Sequence, residues 1–112
     1  MTKHWKPYAL HILDCIHKIK DIQERGDITN DVILYDAALR NLPTMSEATR
    51  HLPEEKIKDY PDIPWADISG FRNILVHDYL GEIDAETILN IIQVHVGRLQ
   101  DAVSDMVNKS SK

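Results

Sequence analysis

Residues 72–79 read RNILVHDY and bring Arg72, Asn73, His77 and Tyr79 within eight positions. These are the groups that metal-free cleavage of RNA requires. A guanidinium can grip a phosphate through two hydrogen bonds and neutralise charge on a pentacoordinate phosphorus. An imidazole, with an ordinary pKa of about 6.5, can take the 2′-hydroxyl proton or protonate the leaving oxygen. The Asn73 amide can orient a phosphate oxygen or the imidazole. A phenol with a pKa of about 10 is a poor base at neutral pH and a better hydrogen-bond donor or phosphoryl acceptor. Asp78, next to His77, is placed to raise the imidazole pKa or to repel RNA.

The spacing fits a helix. At about 100° per residue, Arg72 and Tyr79 nearly eclipse and Asn73 and His77 are neighbours. The four side chains then share a little under half of the circumference, with Phe71, Ile74 and Leu75 on the core side. A protonated His77 is favoured near a helix C-terminus by the helix dipole. A hydrogen-bonded polar patch would use the same residue types, so spacing alone leaves both readings open.

Four amphipathic segments must hold this run. The first spans about Pro7 to Arg25, with Ala9, Ile12, Ile16 and Ile19 at three- and four-residue steps. Gly26 stops it, and GDITND reads as a turn that caps the next helix at Thr29 or Asn30. The second spans about Asp31 to Leu52 through Tyr35, Ala38, Leu42, Met45, Thr49 and Leu52. Pro43 lies inside it, but the apolar phase continues across the proline, which predicts one bent helix. Residues 53–64 read as a connecting loop with a short helical turn, and Pro64 suits the first position of the motif helix, about Pro64 to Tyr79. Asp84 suits the N-cap of a fourth helix reaching about Asn108, with a seam of Leu89, Ile92, Val96, Leu99, Val103 and Met106. The expected architecture is a single all-α domain over residues 1–112, an antiparallel four-helix bundle with a bent second helix and a frayed tail at 108–112.

Composition narrows the function. The chain has 112 residues, 13 basic and 18 acidic, and a net charge of -5. That balance argues against a protein built to coat nucleic acid and leaves room for a local phosphate site. A single cysteine, Cys15, forbids an internal disulfide and fits a reducing compartment. No signal peptide or membrane-spanning run is legible, so a cytoplasmic protein is expected, with no membrane partner.

The spacing Arg, four residues, His, one residue, Tyr resembles the signature of the HEPN superfamily of ribonucleases. The longer string GFRNILVHDYLGEID resembles its HepT branch, as do LRNLPTMSEATRHLPEE and YPDIPW; the resemblance covers roughly residues 8–105. Pro43, and Ser46 where a glycine is common, depart from the pattern. The resemblance implies a homodimer with motif helices facing across the twofold axis. It implies metal-independent endoribonuclease cleavage to a cyclic phosphate, in a toxin of a type VII-like toxin–antitoxin pair. Arg72 and His77 become the catalytic pair and Asn73 their assistant. Tyr79 matches the tyrosine to which the nucleotidyltransferase antitoxin of this branch attaches AMP, an addition that would block the RNA site. The substrate class is RNA, with tRNA and mRNA as candidates, and not DNA; no cofactor or metal is implied. The alternative is an inactive helical dimer that serves as a docking or substrate-binding subunit for a nucleotidyltransferase.

Other residues admit two readings each. Arg40 and Asn41 either line the pocket from the second helix or hydrogen-bond helix ends. His11 and Cys15, four apart, with His4 further back, resemble the start of a zinc site but lack a second ligand pair. His51 reads as a capping or surface residue and His95 as a satisfied core or interface histidine. Trp65 should anchor the motif helix. Gly70, costly inside a helix, fits close approach of another backbone, the dimer axis being one candidate.

Overall fold

The structure is a computed structural model that describes residues 4–77 and 84–110, with side chains described for 4–71 and 84–109. Within those residues all regular structure is helical: α1 (Trp5–Arg25), α2 (Val32–Thr49), the short α3 (Glu54–Ile57), α4 (Trp65–His77), α5 (Ala85–Ile91), a π-helical turn (Ile92–Val96) and α6 (Gly97–Ser110). The last three run without a break. The expected all-α antiparallel bundle is therefore the observed one.

α1 forms because its apolar residues return every three or four positions. Ala9, Ile12, Ile16 and Ile19 are completely buried, joined by Cys15 and Ile22. It starts at Trp5, two residues before the expected start. Pro7 is tolerated there because the first-turn N–H groups have no partner within the helix. Gly26 ends the helix with an extended backbone. A methyl group at Gly26 would come within 3.0 Å of Leu34 Cδ1, so the smallest residue lets the turn fold back tightly.

The capping residue differs from the expected Thr29 or Asn30. Asp31 caps α2: its carboxylate accepts from the Ile33 N–H at 2.9 Å and the Leu34 N–H at 3.3 Å. Asp27 instead shapes the turn. It accepts the Thr29 N–H at 2.9 Å and the Thr29 hydroxyl at 2.7 Å, and these two bonds, the backbone one first, hold its carboxyl below the usual range. Two acids four apart split the work, because a carboxylate bonds best to N–H groups two or three residues ahead of it.

α2 is the central element, packed against α1 on one side and α4 on the other. It continues through Pro43. Ala38, Leu42 and Met45 are fully buried, and Thr49 and Leu52 nearly so. Burial of an uninterrupted stripe thus outweighs the hydrogen bond that Pro43 cannot make, a defect of roughly 3 kcal/mol in an isolated helix.

Cross-helix contacts fix the direction of each element. Tyr8 meets His51 and the Lys56 ammonium lies 4.9 Å over the Trp5 ring, so the start of α1 lies beside the end of α2 and α3. Lys20 donates to Gln100, and Tyr60 donates to the Asp105 carboxylate at 2.6 Å. The ends of α2 and α6 and the starts of α1 and α4 therefore share one end of the bundle. The end of α4 and the start of α5 occupy the other.

The C-terminal seam differs from the expected one at its start. Ile88 is fully buried, whereas Leu89 is only partly covered. The buried stripe runs Ile88, Ile92, Val96, Leu99, Val103, Met106. Its two consecutive four-residue steps coincide with the π turn, whose wider winding absorbs the extra residue. Asp84 sits at the expected N-cap, where its carbonyl accepts from the Ile88 N–H at 3.2 Å; its side chain makes no capping bond. α6 continues to Ser110, past Asn108.

Two outcomes follow. Asp31→Ala removes the acceptor for two helix-start N–H groups and should cost about 1 kcal/mol, read as a lower urea midpoint with an unchanged slope. Burial first, and then the bond to Asp105, push the Tyr60 phenol up to about 12, against about 10 for the unfolded chain. The folded form thus holds its proton longer, so this contribution is complete below about pH 10 and is lost as pH rises through about 12. Tyr60→Phe should shrink the loss of stability across that window, measured by urea unfolding at both ends.

Candidate functional site

The motif helix is fixed at its start. Pro64 stands at the N-cap, one position earlier than expected, and its carbonyl accepts from the Ile68 N–H at 3.0 Å. The Trp65 indole donates to the Tyr60 carbonyl at 3.0 Å, and Tyr60 is itself tied to α6 through Asp105. Trp65 therefore anchors α4, as its position in the sequence suggests, with its ring partly covered at the core edge. Ile68 and Phe71 are buried and set the face that α4 turns toward its neighbours.

Arg72, Asn73 and His77 fall in the last two turns of α4. The helical backbone puts Asn73 and His77 one turn apart and leaves Arg72 next to the buried Phe71. Asp78 and Tyr79 lie outside the described residues. The end of α4 lies at the same end of the bundle as the start of α2, so a ligand there would be framed by more than one helix.

The π turn meets α4 at this place. His95 lies within it, and its ring packs against Phe71 with centroids 5.2 Å apart and planes tilted by 59°. His95 Nδ1 is buried and has no hydrogen-bond partner among the described residues. Ser46, completely buried in α2, likewise leaves Oγ without a partner. Each unpartnered buried group costs roughly 1–3 kcal/mol. Gly70 has open space where a Cβ would stand, so no backbone among the described residues approaches it.

The expected companions on α2 are resolved individually. Arg40 is exposed. Asn41 donates to the Ala37 carbonyl one turn back at 2.9 Å, so part of its amide serves its own helix. His11 Nε2 lies 3.7 Å from Cys15 Sγ. Among the described residues no three ligand-type side chains gather around a point that could hold a metal. Burial first, and then the Asp14 carboxylate, raise the Cys15 pKa, which keeps this thiol protonated and unreactive at neutral pH.

Sequence reasoning missed one pairing. Tyr8 and His51 stack with centroids 4.1 Å apart and planes within 10° of parallel, and His51 Nε2 lies 3.7 Å from a Glu47 oxygen. No local spacing signals a contact between residues so far apart in the chain.

Comparison with known proteins gives a consistent assignment. The family profile described as Ribonuclease HepT-like matches residues 12–106. A protein of Caldanaerobacter subterraneus subsp. tengcongensis, provisionally named an RNase, is 32% identical over 108 residues, covering 93% of this chain and 95% of its own. One from Methanocaldococcus jannaschii, also provisionally named an RNase, is 34% identical over 90 residues, covering 80% and 81%. A protein of Thermococcus cleftensis, provisionally named ribonuclease HepT, is 24% identical over 103 residues, covering 89% and 93%. No solved structure matches the chain. No described helix is long and apolar enough to cross a membrane.

His95→Leu replaces an unpartnered buried nitrogen by apolar atoms of similar bulk against Phe71. It should raise stability by about 1 kcal/mol, seen as a higher thermal midpoint. A lower midpoint would mean that the imidazole has a partner in solution.

Proposed function

The chain belongs to the Ribonuclease HepT-like family, and on that footing we propose that it is a metal-independent endoribonuclease toxin of a type VII-like toxin–antitoxin pair. One observation carries this reading. The run from Arg72 to His77 lies in the closing turns of a helix whose start is locked to α6 through Trp65, Tyr60 and Asp105, and the family match spans that helix.

The chemistry follows from the residue types. Arg72 holds the non-bridging oxygens of the scissile phosphate and offsets the charge that grows on them. The 2′-hydroxyl loses its proton to a His77 imidazole as its oxygen bonds to phosphorus, and the bond to the 5′-oxygen breaks. That oxygen takes its proton from an imidazolium, leaving a cyclic phosphate and a 5′-hydroxyl. Asn73 orients the phosphate. Two subunits paired along α4 would bring two guanidinium–imidazole sets to one cleft, so that one histidine acts as base and the other as acid. The open space beside Gly70 supports such a close approach.

Silencing works through Tyr79. Its phenol oxygen attacks the α-phosphorus of ATP held by the nucleotidyltransferase antitoxin and displaces pyrophosphate. Tyr79 then carries a bulky anion at the mouth of a site that must accept a polyanion. The buried, protonated thiol of Cys15 is compatible with a reducing, cytoplasmic setting.

Purified protein, free of AMP and supplied with RNA in EDTA, tests the reading. Arg72→Ala and His77→Ala should each lower cleavage at least a hundredfold, on the scale of a lost acid–base or charge-stabilising group, while the dimer persists in sedimentation. Tyr79→Phe should keep cleavage and lose the AMP-sized increase in intact mass after incubation with antitoxin and ATP. A wild-type preparation that never cleaves RNA yet still binds the nucleotidyltransferase would replace the enzyme by a docking subunit.

A further inference from the structure

The ribonuclease reading leaves one built feature unused. Where the start of α1 crosses the end of α2 lies an open groove of about 380 Å³, whose lining includes Tyr8, His11, Pro43, Thr44, Glu47 and His51. The stacked rings of Tyr8 and His51 stand in it. Both residues are exposed, Tyr8 at 39%, so the pair adds little to the core. It presents flat aromatic surface to solvent at the junction of two helices.

The local charge favours a polyanion there. Residues 4–11 and 47–58, the two segments that meet at the groove, hold four Lys or Arg, three Glu and three His, against a net charge of -5 for the whole chain. The excess negative charge therefore lies outside these two segments, and an RNA strand meets little net repulsion from them. Arg50 stands next to the stack and is exposed. From the groove, the exposed positions Thr44 and Arg40 continue along α2 toward the end of the bundle where α4 finishes.

We propose that this groove is a single-stranded RNA subsite, in which one unpaired nucleobase stacks on the Tyr8–His51 pair while the strand follows the exposed side of α2 past Arg40. The proposal rests on the ribonuclease reading for its ligand. Aromatic faces hold unpaired bases whatever their identity, whereas bases stacked inside a duplex cannot reach them. Basic and histidine side chains meet the backbone phosphates. The Glu47 carboxylate, 3.6 Å from Arg50 and 3.7 Å from His51, restrains both side chains and turns away phosphate from the groove wall. The groove and the end of α4 occupy opposite ends of the bundle. The subsite therefore serves strands of several nucleotides and adds nothing to the cleavage of a dinucleotide.

Fluorescence anisotropy with a 2′-O-methyl single strand, which the full chain cannot cleave, reads binding directly. Tyr8→Ala and His51→Ala should each weaken it roughly five- to a hundredfold, the scale of one lost stacked base. Tyr8→Phe, which keeps the ring, should bind within about twofold of the parent, and a duplex of the same sequence should bind no better than Tyr8→Ala. In cleavage assays Tyr8→Ala should raise KM for a long strand and leave dinucleotide turnover unchanged. Equal affinity of Tyr8→Ala and parent, with both folded by circular dichroism, overturns the subsite, as does a Tyr8→Phe loss as large as that of Tyr8→Ala. The two readings fail separately. Ring-dependent binding without any cleavage keeps the subsite and removes the nuclease. Cleavage of long RNA with a KM blind to Tyr8 does the reverse.

Discussion

Burial of the α2 stripe on two sides is the constraint on which the rest of this fold depends. α1 and α4 both pack against α2, so a fault in that helix would reach the motif helix directly. The stripe survives a proline in its interior because Ala38, Leu42 and Met45 stay in phase on either side of it and lose all contact with water. Hydrophobic burial of several large side chains, at roughly 1.5–3 kcal/mol each, exceeds one missing backbone hydrogen bond. The same packing strands the Ser46 hydroxyl, a small cost accepted within a large gain.

A second layer of constraint is polar and local. Tyr60 links the connection after α3 to α6 through Asp105, and Trp65 links α4 to the same connection. The start of the motif helix is thereby tied to the end of the chain without any long-range backbone pairing. Arg72, Asn73 and His77 fall at the far end of α4, beyond the buried Phe71. A helix held firmly at its start and loaded with polar groups at its finish suits a site that must meet a substrate or a second subunit.

Much of this was legible in the sequence because burial of amphipathic helices repeats at fixed intervals. The α1 and α2 stripes, the short turn after Pro53 and the polar run on α4 all follow from such intervals. The features that escaped depend on competition or on distance. Asp27, Thr29, Asn30 and Asp31 are all capable caps, and only the path of the chain decides that Asp31 takes the role. The seam through Ile88 instead of Leu89 needs a π turn that no residue type demands. The Tyr8–His51 stack joins two helices through tertiary packing alone. At the motif, residue types and helical register could be read, but the packing of His95 on Phe71 could not, since it joins two helices through tertiary contact alone.

The π turn also makes the phase of the C-terminal helix a local property. Its first half is keyed to one set of neighbours and its second half to another, with a single supernumerary residue reconciling them. Rewinding Ile92–Val96 as ordinary α-helix with every residue kept would swing the upstream half by about 100°. Ile88 would then leave the interior and Leu89 would take its place. Loss of one codon there would instead set Ile88 seven residues before the present Val96 and keep both on one face, so the bulge marks the place where this helix can gain or shed a residue without either half being rewritten.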